Sequence, residues 1–336
     1  MSHTAYRLPI HRGPWLLVRF HLMQEICSPP SEGSILAVLV LYGCAASESQ
    51  SYRSLLDILS TDADLASRIS LLIYDNSPGA HPLDEKALPG INYVHDAANP
   101  GLAAAYNFAL ARAAEKQFEW LLLLDQDTML TREFLVELLQ STSSLHAKAE
   151  VASIVPKLTF HGDVCSPTAN FLHQLRRPYM RSYAVARETT GIQLKPYFAF
   201  NSGATLRVST LQSIGGFPSD YWLDYLDHAT FAALSARGYC MYILKSELEH
   251  ESSQGAVGSV SPARLRNLLS AQARFVRENG KFLDRALYRL WLLRCARIWW
   301  LRHPDKSLGK EAAMQALGLN TGLQPASTGK PPQPKA

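Results

Sequence analysis

Short runs rich in Leu, Ile and Val alternate along the chain with segments of helical periodicity, and this alternation most constrains the fold. The runs are SILAVLVLY, ISLLIY, INYVH, WLLLL, VASIV and CMYIL. Continuous apolar runs of this length are typical of strands buried on both faces. Between them, GLAAAYNFALARAAEK repeats apolar residues at helical spacing, which places Leu102, Tyr106 and Ala109 on one face. The sequence therefore predicts an α/β fold with a doubly wound, mostly parallel sheet and helices on both faces.

Two of the apolar runs end directly in acidic residues. WLLLL is followed by Asp125 and Asp127, and ISLLIY by Asp75. In an extended chain, residues two apart point the same way, so we expect Asp125 and Asp127 to project together from the end of a strand. Ligands bind beyond the carboxyl ends of such strands, and paired carboxylates suit Mg²⁺ or Mn²⁺. A solvated loop is the alternative interpretation of this D-x-D sequence.

Two turns carry both a structural and a functional interpretation. YDNSPG, which contains Asp75 and Asn76, is either a capped turn or a pocket in which Asp75 accepts hydrogen bonds from a nucleobase. NPG, at Asn99 to Gly101, either starts the following helix or offers the helix N-terminus to an anion. Spacing alone leaves both alternatives open at each turn.

Composition divides the chain into four parts. Residues 1–33 are predicted as an N-terminal extension, 34–255 as the α/β domain, 256–310 as a basic segment with two helices, and 311–336 as a disordered tail rich in Pro and Gly. The five cysteines form no C-x-x-C pair, which argues against structural zinc and against a disulfide framework. The apolar stretch WLLVRFHLM is too short to cross a bilayer. We therefore expect a cytoplasmic protein.

Charge is unevenly distributed along the chain. Between Arg264 and Lys310 there are twelve Lys or Arg and three acidic residues, a local net charge of +9; the whole chain carries +4, so the remainder carries −5. Such a basic segment suggests an anionic partner. Placed on a helix, the residues of Phe282–His303 show no clean division of faces. Three interpretations stay open: peripheral attachment to a membrane, a packing helix whose arginines pair with the acidic body, or contact with a homodimer partner.

Six motifs in order carry a resemblance to a known family. They are VLVLY, YDNSPG, NPGLAAAYNFAL, LLLLDQDTML, the segment from NSGATLRV through GGFPSDYWLDYLD, and LEHESS. Together they cover about residues 34–252 and resemble the family 2 glycosyltransferases, which have the GT-A fold. The segment DYWLDYLD is most similar to bacterial rhamnosyltransferases. The domain at 34–255 is then expected to be a GT-A domain.

The resemblance implies roles for individual residues. Asp227 falls on the catalytic aspartate, and Asp125, Asp127 and His250 fall on positions that hold a divalent cation, Mg²⁺ or Mn²⁺. Contacts to the nucleotide or substrate are implied at Tyr42, Asp75, Asn76, Asn99, Gly101, Asn107, Asp125, Gly203 and Asp224. The chain departs from the family pattern just after Asp227, where it has His228 and Ala229.

The predicted reaction is inverting transfer of a sugar from a dTDP- or UDP-sugar to a hydroxyl of a glycan or lipid-linked saccharide. L-Rhamnose is the sugar that the pattern favours, and Asp227 is the expected general base. A sugar nucleotidyltransferase and a non-catalytic sugar-nucleotide-binding relative are the alternatives. The loop after the first strand, GCAASESQSY, lacks both the basic residues of the former and the G-x-G-x-x-G of a nicotinamide site. No nucleic-acid partner is expected, and the predicted location is the cytoplasm, with peripheral contact at the inner face of the plasma membrane.

Overall fold

The structure is a computed structural model that describes residues 33–81, 83, 91–169, 172, 184–249, 262–302 and 305–318. Almost all of the predicted N-terminal extension, most of the predicted tail and His250 therefore lie outside the described residues. The strands are β1 Ile35–Leu41, β2 Ile69–Asp75, β3 Asn92–His95, β4 Trp120–Leu124, β5 Val151–Phe160, β6 Asp163–Ser166, β7 Thr168–Ala169, β8 Gly191–Gln193, β9 Tyr197–Phe198, β10 Thr205–Arg207 and β11 Cys240–Glu249. The helices are α1 Gln50–Thr61, α2 Ala63–Arg68, α3 Leu102–Glu115, α4 Arg132–Ser144, α5 Val208–Ser213, α6 Leu226–Ala236, α7 Pro262–Asn279, α8 Phe282–Arg302 and α9 Lys306–Ala316.

The main sheet has the strand order β3-β2-β1-β4-β10-β5-β11-β8, with β6 paired to β5. Strands β1 to β4 are parallel to one another, and β11 is parallel to β5. The short β10 runs antiparallel between β4 and β5. The predicted α/β fold with a mostly parallel sheet is confirmed. Since β2 and β4 flank β1 on opposite sides, the order reverses between β1 and β4, which is where open α/β sheets bind ligands.

Alternate residues of the central strands face two separate cores. Leu36 and Val38 of β1 pack with α3, α5 and α6, whereas Ile35, Ala37 and Leu39 pack with α1 and α4. The same alternation holds in β4, where all five residues are fully buried. A strand covered on both faces has no position for a polar side chain, which explains the unbroken apolar runs.

The C-terminal segment contains three described helices rather than the two predicted. The third, α9, ends at Ala316 and crosses the boundary predicted between residues 310 and 311. Asp305 caps it by accepting a hydrogen bond from the Ser307 N–H at 2.9 Å, and a Cβ on Gly309 would lie 2.9 Å from the Ala296 carbonyl of α8. This close packing on α8 holds the short helix in place, and packing is not visible in a Pro- and Gly-rich sequence. None of the described helices is long and apolar enough to cross a membrane.

Candidate functional site

The loops that follow β1, β2 and β4 are joined to one another at the carboxyl edge of the sheet. The Tyr42 amide donates to Gln126 Oε1 at 3.1 Å, and the Gly43 amide donates to Ser77 Oγ at 2.8 Å. The Asn76 amide donates to the carbonyl of Leu41 at 2.8 Å. Gln126, the residue between the two aspartates, thus anchors the D-x-D loop to the first strand's loop. The loops at the ends of these three strands therefore form one continuous surface at this edge of the sheet.

The chain turns at Gln126 and Asp127, so the alternation expected of an extended strand does not apply there. The reason is Ser51 of α1, whose hydroxyl donates to the Asp125 carbonyl and, at 2.8 Å, to the Thr128 carbonyl. The Thr128 amide donates back to Ser51 Oγ at 3.2 Å. Asp125 and Asp127 are both half-buried at this turn. The expected proximity of the two carboxylates therefore depends on a turn held by α1 and not on strand pleating.

Asp125 is fixed by a residue that the sequence motifs did not single out. Ser202, which is 1 % exposed, donates its hydroxyl to Asp125 Oδ2. Its neighbour Gly203 has φ +76°, and its amide donates to the Leu123 carbonyl at 2.9 Å. The backbone of Gly203 thus supports the loop that carries Ser202, and its predicted contact to substrate remains a prediction. The N-S-G motif includes both residues, but the serine is the one that contacts Asp125.

Tyr106 of α3 is influenced by two of the predicted functional carboxylates. Its side chain is fully buried. Burial, together with the negative charges of Asp125 and Asp227, holds the pKa of the Tyr106 phenol well above its ordinary value. The structure therefore brings the D-x-D turn and the predicted catalytic aspartate, 102 residues apart, to one buried phenol. Sequence periodicity assigns Tyr106 only to a packing face.

Asp75 ends β2 with a fully buried side chain. Its Oδ1 accepts the Ser77 amide at 2.8 Å, while Oδ2 accepts the Tyr93 hydroxyl at 2.7 Å and lies 3.3 Å from His81 Nδ1. Burial by itself would raise the pKa of Asp75, but these hydrogen bonds outweigh it and leave the pKa below its ordinary value. The carboxylate already serves as an acceptor for three chain groups, as the capped-turn interpretation expects. A nucleobase contact remains a prediction.

Asn76 has a buried side chain next to this carboxylate, and its Oδ1 accepts no hydrogen bond from the described residues. An uncompensated buried acceptor is costly and is normally matched by a donor. Tyr42, by contrast, exposes 39 % of its surface at the rim of the same loops. Both positions suit the predicted nucleotide contact, and neither is committed elsewhere by its side chain.

The turn at Asn99 to Gly101 packs against Trp222. The Leu102 amide, the first of α3, donates to the Trp222 carbonyl at 2.7 Å, and the Trp222 indole donates to the Asn99 carbonyl at 3.3 Å. Gly101 has φ +94°, and a Cβ there would lie 2.3 Å from the Trp222 ring. The first helix amide predicted to meet an anion is therefore already bonded. The turn serves to place Trp222.

Asn107 makes a structural contact, and its predicted contact to substrate remains a prediction. Its Nδ2 donates to the Phe217 carbonyl at 2.8 Å, and its Oδ1 accepts the Phe217 amide at 2.9 Å. Both ends of the amide are thereby used. Asn107 fastens the G-G-F turn to α3, which fixes the start of the loop that carries Trp222, Asp224 and Asp227.

Asp227 opens α6 beside His228. Its Oδ1 accepts the His228 amide at 2.7 Å and lies 2.8 Å from His228 Nδ1. Among the described residues, no donor reaches Oδ2. One carboxylate oxygen is therefore held in place, and the other remains available as a proton acceptor.

Asp224 lies on the same loop and pairs with the C-terminal segment. Its Oδ1 is 2.9 Å from Arg264 Nη2 of α7, and the Asp224 side chain is 12 % exposed. Burial raises the pKa of Asp224 to about 6; Arg264 opposes this rise and the charge of Asp227 adds to it. Asp224 therefore makes a structural contact, and its predicted contact to substrate remains a prediction. Arg264 is a site residue that the motifs did not include.

The donor set for the predicted cation is two carboxylates, Asp125 and Asp127. Within the described part of the chain, no group of three His, Cys, Asp or Glu side chains could hold a metal ion. The third predicted ligand, His250, is outside that part. Two carboxylates at the end of a buried strand fit Mg²⁺ or Mn²⁺, since such ions commonly complete their shell with water and substrate phosphates.

Residues 53–190 match the family model Glycosyl transferase family 2. No curated protein matches the chain. Among solved structures, the chain is similar to S. aureus TarS, at 12% identity and TM-score 0.52, over 85% of this chain and 48% of that one. It is similar to TarS 1-349 in complex with UDP-GlcNAc at 13% identity and TM-score 0.50, over 85% and 80% of the two chains.

The chain spans about half the length of the TarS chain that it matches with TM-score 0.52, and at these identities the likeness shows the fold. The family match supports the enzyme class predicted from the sequence, a glycosyltransferase. It ends before Asp224 and Asp227, so those two positions rest on the geometry of the loop. The chain therefore carries a domain that matches glycosyl transferase family 2, on the α/β fold that its sequence predicts.

Proposed function

We propose that the protein transfers a sugar from a nucleoside diphosphate sugar to an acceptor hydroxyl with inversion of the anomeric centre. The observation that carries this proposal is the buried Tyr106 phenol. The negative charges of Asp125 and Asp227 both raise the pKa of this phenol. A carboxylate suited to the diphosphate side and a carboxylate suited to deprotonation thus share one cleft. A protein that only bound a sugar nucleotide would not need the carboxylate suited to deprotonation.

The diphosphate must leave with developing negative charge. Asp125 and Asp127 would hold Mg²⁺ or Mn²⁺ at this point, with His250 as a further proposed ligand, and the bound cation supplies charge neutralisation and orientation. Ser202 donates its hydroxyl to Asp125 Oδ2 and so restricts rotation of this carboxylate. This restriction supports a preorganised site.

Deprotonation of the acceptor falls to Asp227. As the acceptor oxygen bonds to the anomeric carbon, its O–H bond breaks and the proton moves to Asp227 Oδ2, while the bond from the anomeric carbon to the diphosphate oxygen breaks. Attack opposite the leaving group inverts the anomeric centre, through a transition state of oxocarbenium character. The contacts of Oδ1 to the His228 amide and ring restrict rotation of the carboxylate.

The donor base is proposed to lie over the loops after β1 and β2. Exposed Tyr42, the uncompensated Oδ1 of Asn76 and the Asp75 cluster line this region. The TarS 1-349 structure was solved with UDP-GlcNAc, which supports UDP-sugars as donors to test first, with dTDP-sugars beside them. A rhamnosyl donor remains part of the proposal on the strength of the DYWLDYLD segment.

The experiment is to incubate the protein with a panel of UDP- and dTDP-sugars, with and without Mn²⁺, and to follow nucleotide release and product. We expect one donor to be turned over only with metal, and Asp227→Asn to lower transfer by about 10²–10⁴-fold while donor binding persists. Asp57→Asn is the matched control, because Asp57 is exposed on α1 and forms no ion pair with the described residues. An Asp227→Asn variant as active as the control would remove Asp227 as the base.

We also propose that the exposed face of α8 docks on an anionic membrane surface. Exposed apolar side chains on this helix are 40–88% accessible: Phe282, Leu283, Leu290, Leu293, Ile298, Trp300 and Leu301. Exposed among them are Arg285, Arg289, Arg294, Arg297 and Arg302. The opposite face is buried at Asp284, Tyr288, Leu292 and Ala296. The side of α8 outside this buried stripe therefore combines apolar side chains with arginines.

The distribution of charge supports the membrane interpretation over the other two. The only acidic residue of α8, Asp284, is buried, and the five exposed arginines form no ion pair with described residues. By contrast, Arg264, Arg266 and Arg274 of α7 do pair with acids. Two copies joined through this face would bring arginines against arginines. An anionic lipid surface at the cytoplasmic face complements both the charge and the apolar side chains, and suits a lipid-linked acceptor.

A further inference from the structure

We infer that His228 is a positioning residue for Asp227: its imidazole holds one carboxylate oxygen so that the other faces the acceptor hydroxyl. The inference rests on the proposed function of Asp227 as the base. It concerns a position at which the chain departs from the family pattern.

The contact itself fixes the tautomer of the imidazole. His228 Nδ1 lies 2.8 Å from Asp227 Oδ1, which is hydrogen-bonding distance. An ionised carboxylate has only acceptors, so the ring nitrogen that meets it must carry the proton. His228 therefore donates Nδ1–H to Asp227, and in its neutral form it leaves Nε2 without a proton.

The ring is held by aromatic residues from three parts of the fold. Phe198 of β9 stacks on it with centroids 5.5 Å apart, and Phe275 of α7 meets it edge-on at 5.7 Å. Tyr225, directly before α6, lies at 4.9 Å. A ring packed on several sides cannot swing its Nδ1–H away from the carboxylate. The orientation of Asp227 is thus set by β9 and α7 through His228.

The two carboxylate oxygens of Asp227 have different roles, because two donors bind Oδ1. Oδ1 accepts both the amide and the imidazole of His228, whereas no described donor reaches Oδ2. When Asp227 takes the acceptor proton, the new O–H bond forms at Oδ2, and Oδ1 becomes the carbonyl oxygen that still accepts both bonds. No proton passes to His228. The imidazole acts before the reaction by removing rotational freedom from the carboxylate.

The test compares two substitutions that separate the donor from the packing. His228→Asn keeps an N–H donor close to the position of Nδ1 but loses the ring. His228→Phe keeps a ring among Phe198, Tyr225 and Phe275 but loses the donor. We expect His228→Phe to lower kcat by about 10–100-fold with the KM for the donor unchanged, and His228→Asn to retain most of kcat. A purely structural role predicts the reverse order, and that result would overturn the inference.

A second measurement does not depend on activity. In wild-type protein we expect an imidazole Nδ1–H proton signal in NMR spectra that is protected from solvent exchange, and we expect it to be lost in Asp227→Ala. Persistence of the protected proton in Asp227→Ala would contradict the pairing. If wild-type protein transfers no sugar from any donor while this signal behaves as expected, the proposed function fails and the His228–Asp227 contact stands.

Discussion

At the scale of single residues, the site is made by neighbours with different tasks. In the D-x-D sequence, the aspartates supply charge, and Gln126 between them joins the loop to Tyr42. In the same way Ser202 contacts Asp125, while Gly203 adopts the positive φ that the backbone has at this point. A motif therefore indicates where the site lies. It does not indicate which of its residues supply the functional side chain and which hold the loop in place.

Gly101 gives a prediction at this scale. Gly101→Ala would place a Cβ 2.3 Å from the Trp222 ring at a backbone φ of +94°, so the loop before Asp227 must move. We expect a loss of about 2–4 kcal/mol in the free energy of unfolding, measured by denaturant titration, together with reduced transfer.

The matched control is Gly238→Ala. Gly238 has φ +80°, but a Cβ added there would have no atom within 4 Å, so the variant experiences only the backbone strain of the left-handed region. An equal loss in both variants would show that the Trp222 contact does not fix the loop.

At the scale of secondary-structure elements, α7 is the part that organises the catalytic loop from outside the sheet. Arg264 pairs with Asp224, Gln272 donates to the Tyr225 hydroxyl at 2.9 Å, and Phe275 packs on His228. The Tyr221 hydroxyl donates to Glu278 at 2.6 Å. These four contacts run along one face of the helix. The C-terminal segment is therefore part of the site and not an appendage to it.

The Arg264–Asp224 pair leads to a pH-dependent prediction. The folded pKa of Asp224, about 6, is above its unfolded value, so the folded state binds the extra proton and ionisation of Asp224 costs stability as the pH rises through 6. Arg264 reduces that cost. We therefore expect Arg264→Met to lower the thermal unfolding temperature more at about pH 8 than at about pH 5, where Asp224 is mainly protonated in the folded protein.

The control for this prediction is the Asp224→Asn background. There the effect of Arg264→Met should lose its pH dependence, because no ionising partner remains. If the pH dependence persists in Asp224→Asn, another group opposes Arg264 and the pairing does not explain the effect.

At the scale of the whole molecule, charge is separated between two bodies. The basic C-terminal helices present arginines and apolar side chains on α8, and the remainder of the chain is net acidic. An acidic body is repelled by an anionic membrane, whereas α8 is attracted to it. The separation would therefore orient the molecule with α8 against the membrane.

Vesicle binding tests this arrangement. We expect the protein to sediment with phosphatidylcholine vesicles only when they contain phosphatidylserine, and less at high salt. Arg294→Gln with Arg297→Gln should weaken binding by about 1 kcal/mol per residue. Arg112→Gln with Arg132→Gln removes the same charge from the sheet domain, where both arginines pair with acids, and should change binding little.

Two results would contradict the membrane proposal. One is equal binding to neutral vesicles by the wild-type protein and by both double variants. The other is a concentration-dependent dimer, seen by light scattering, that Arg294→Gln with Arg297→Gln dissociates. The latter would assign the face to a second copy.

Much of the fold could be predicted from local patterns. The continuous apolar runs identified β1, β2 and β4, because a strand buried on both faces tolerates no polar position. Helix α9 was missed, since it crosses the predicted start of the tail and is held by the packing of Gly309 against α8. For the site, the motifs located Asp125 and Asp227, but they did not find Tyr106, Ser202 or Arg264. Those residues act through contacts distant in sequence.

The sequence by itself determined which segments are buried strands, where their acidic ends lie, and that the C-terminal segment is basic, because apolar periodicity and charge are local properties. Only the tertiary structure decided that Ser51 of α1 holds the D-x-D turn, that Asp125 and Asp227 both raise the pKa of the buried Tyr106, and which residues of α8 form its buried stripe. Each of these depends on which elements pack together. Packing partners are set by the sum of many weak contacts across the chain, and no single segment encodes that sum.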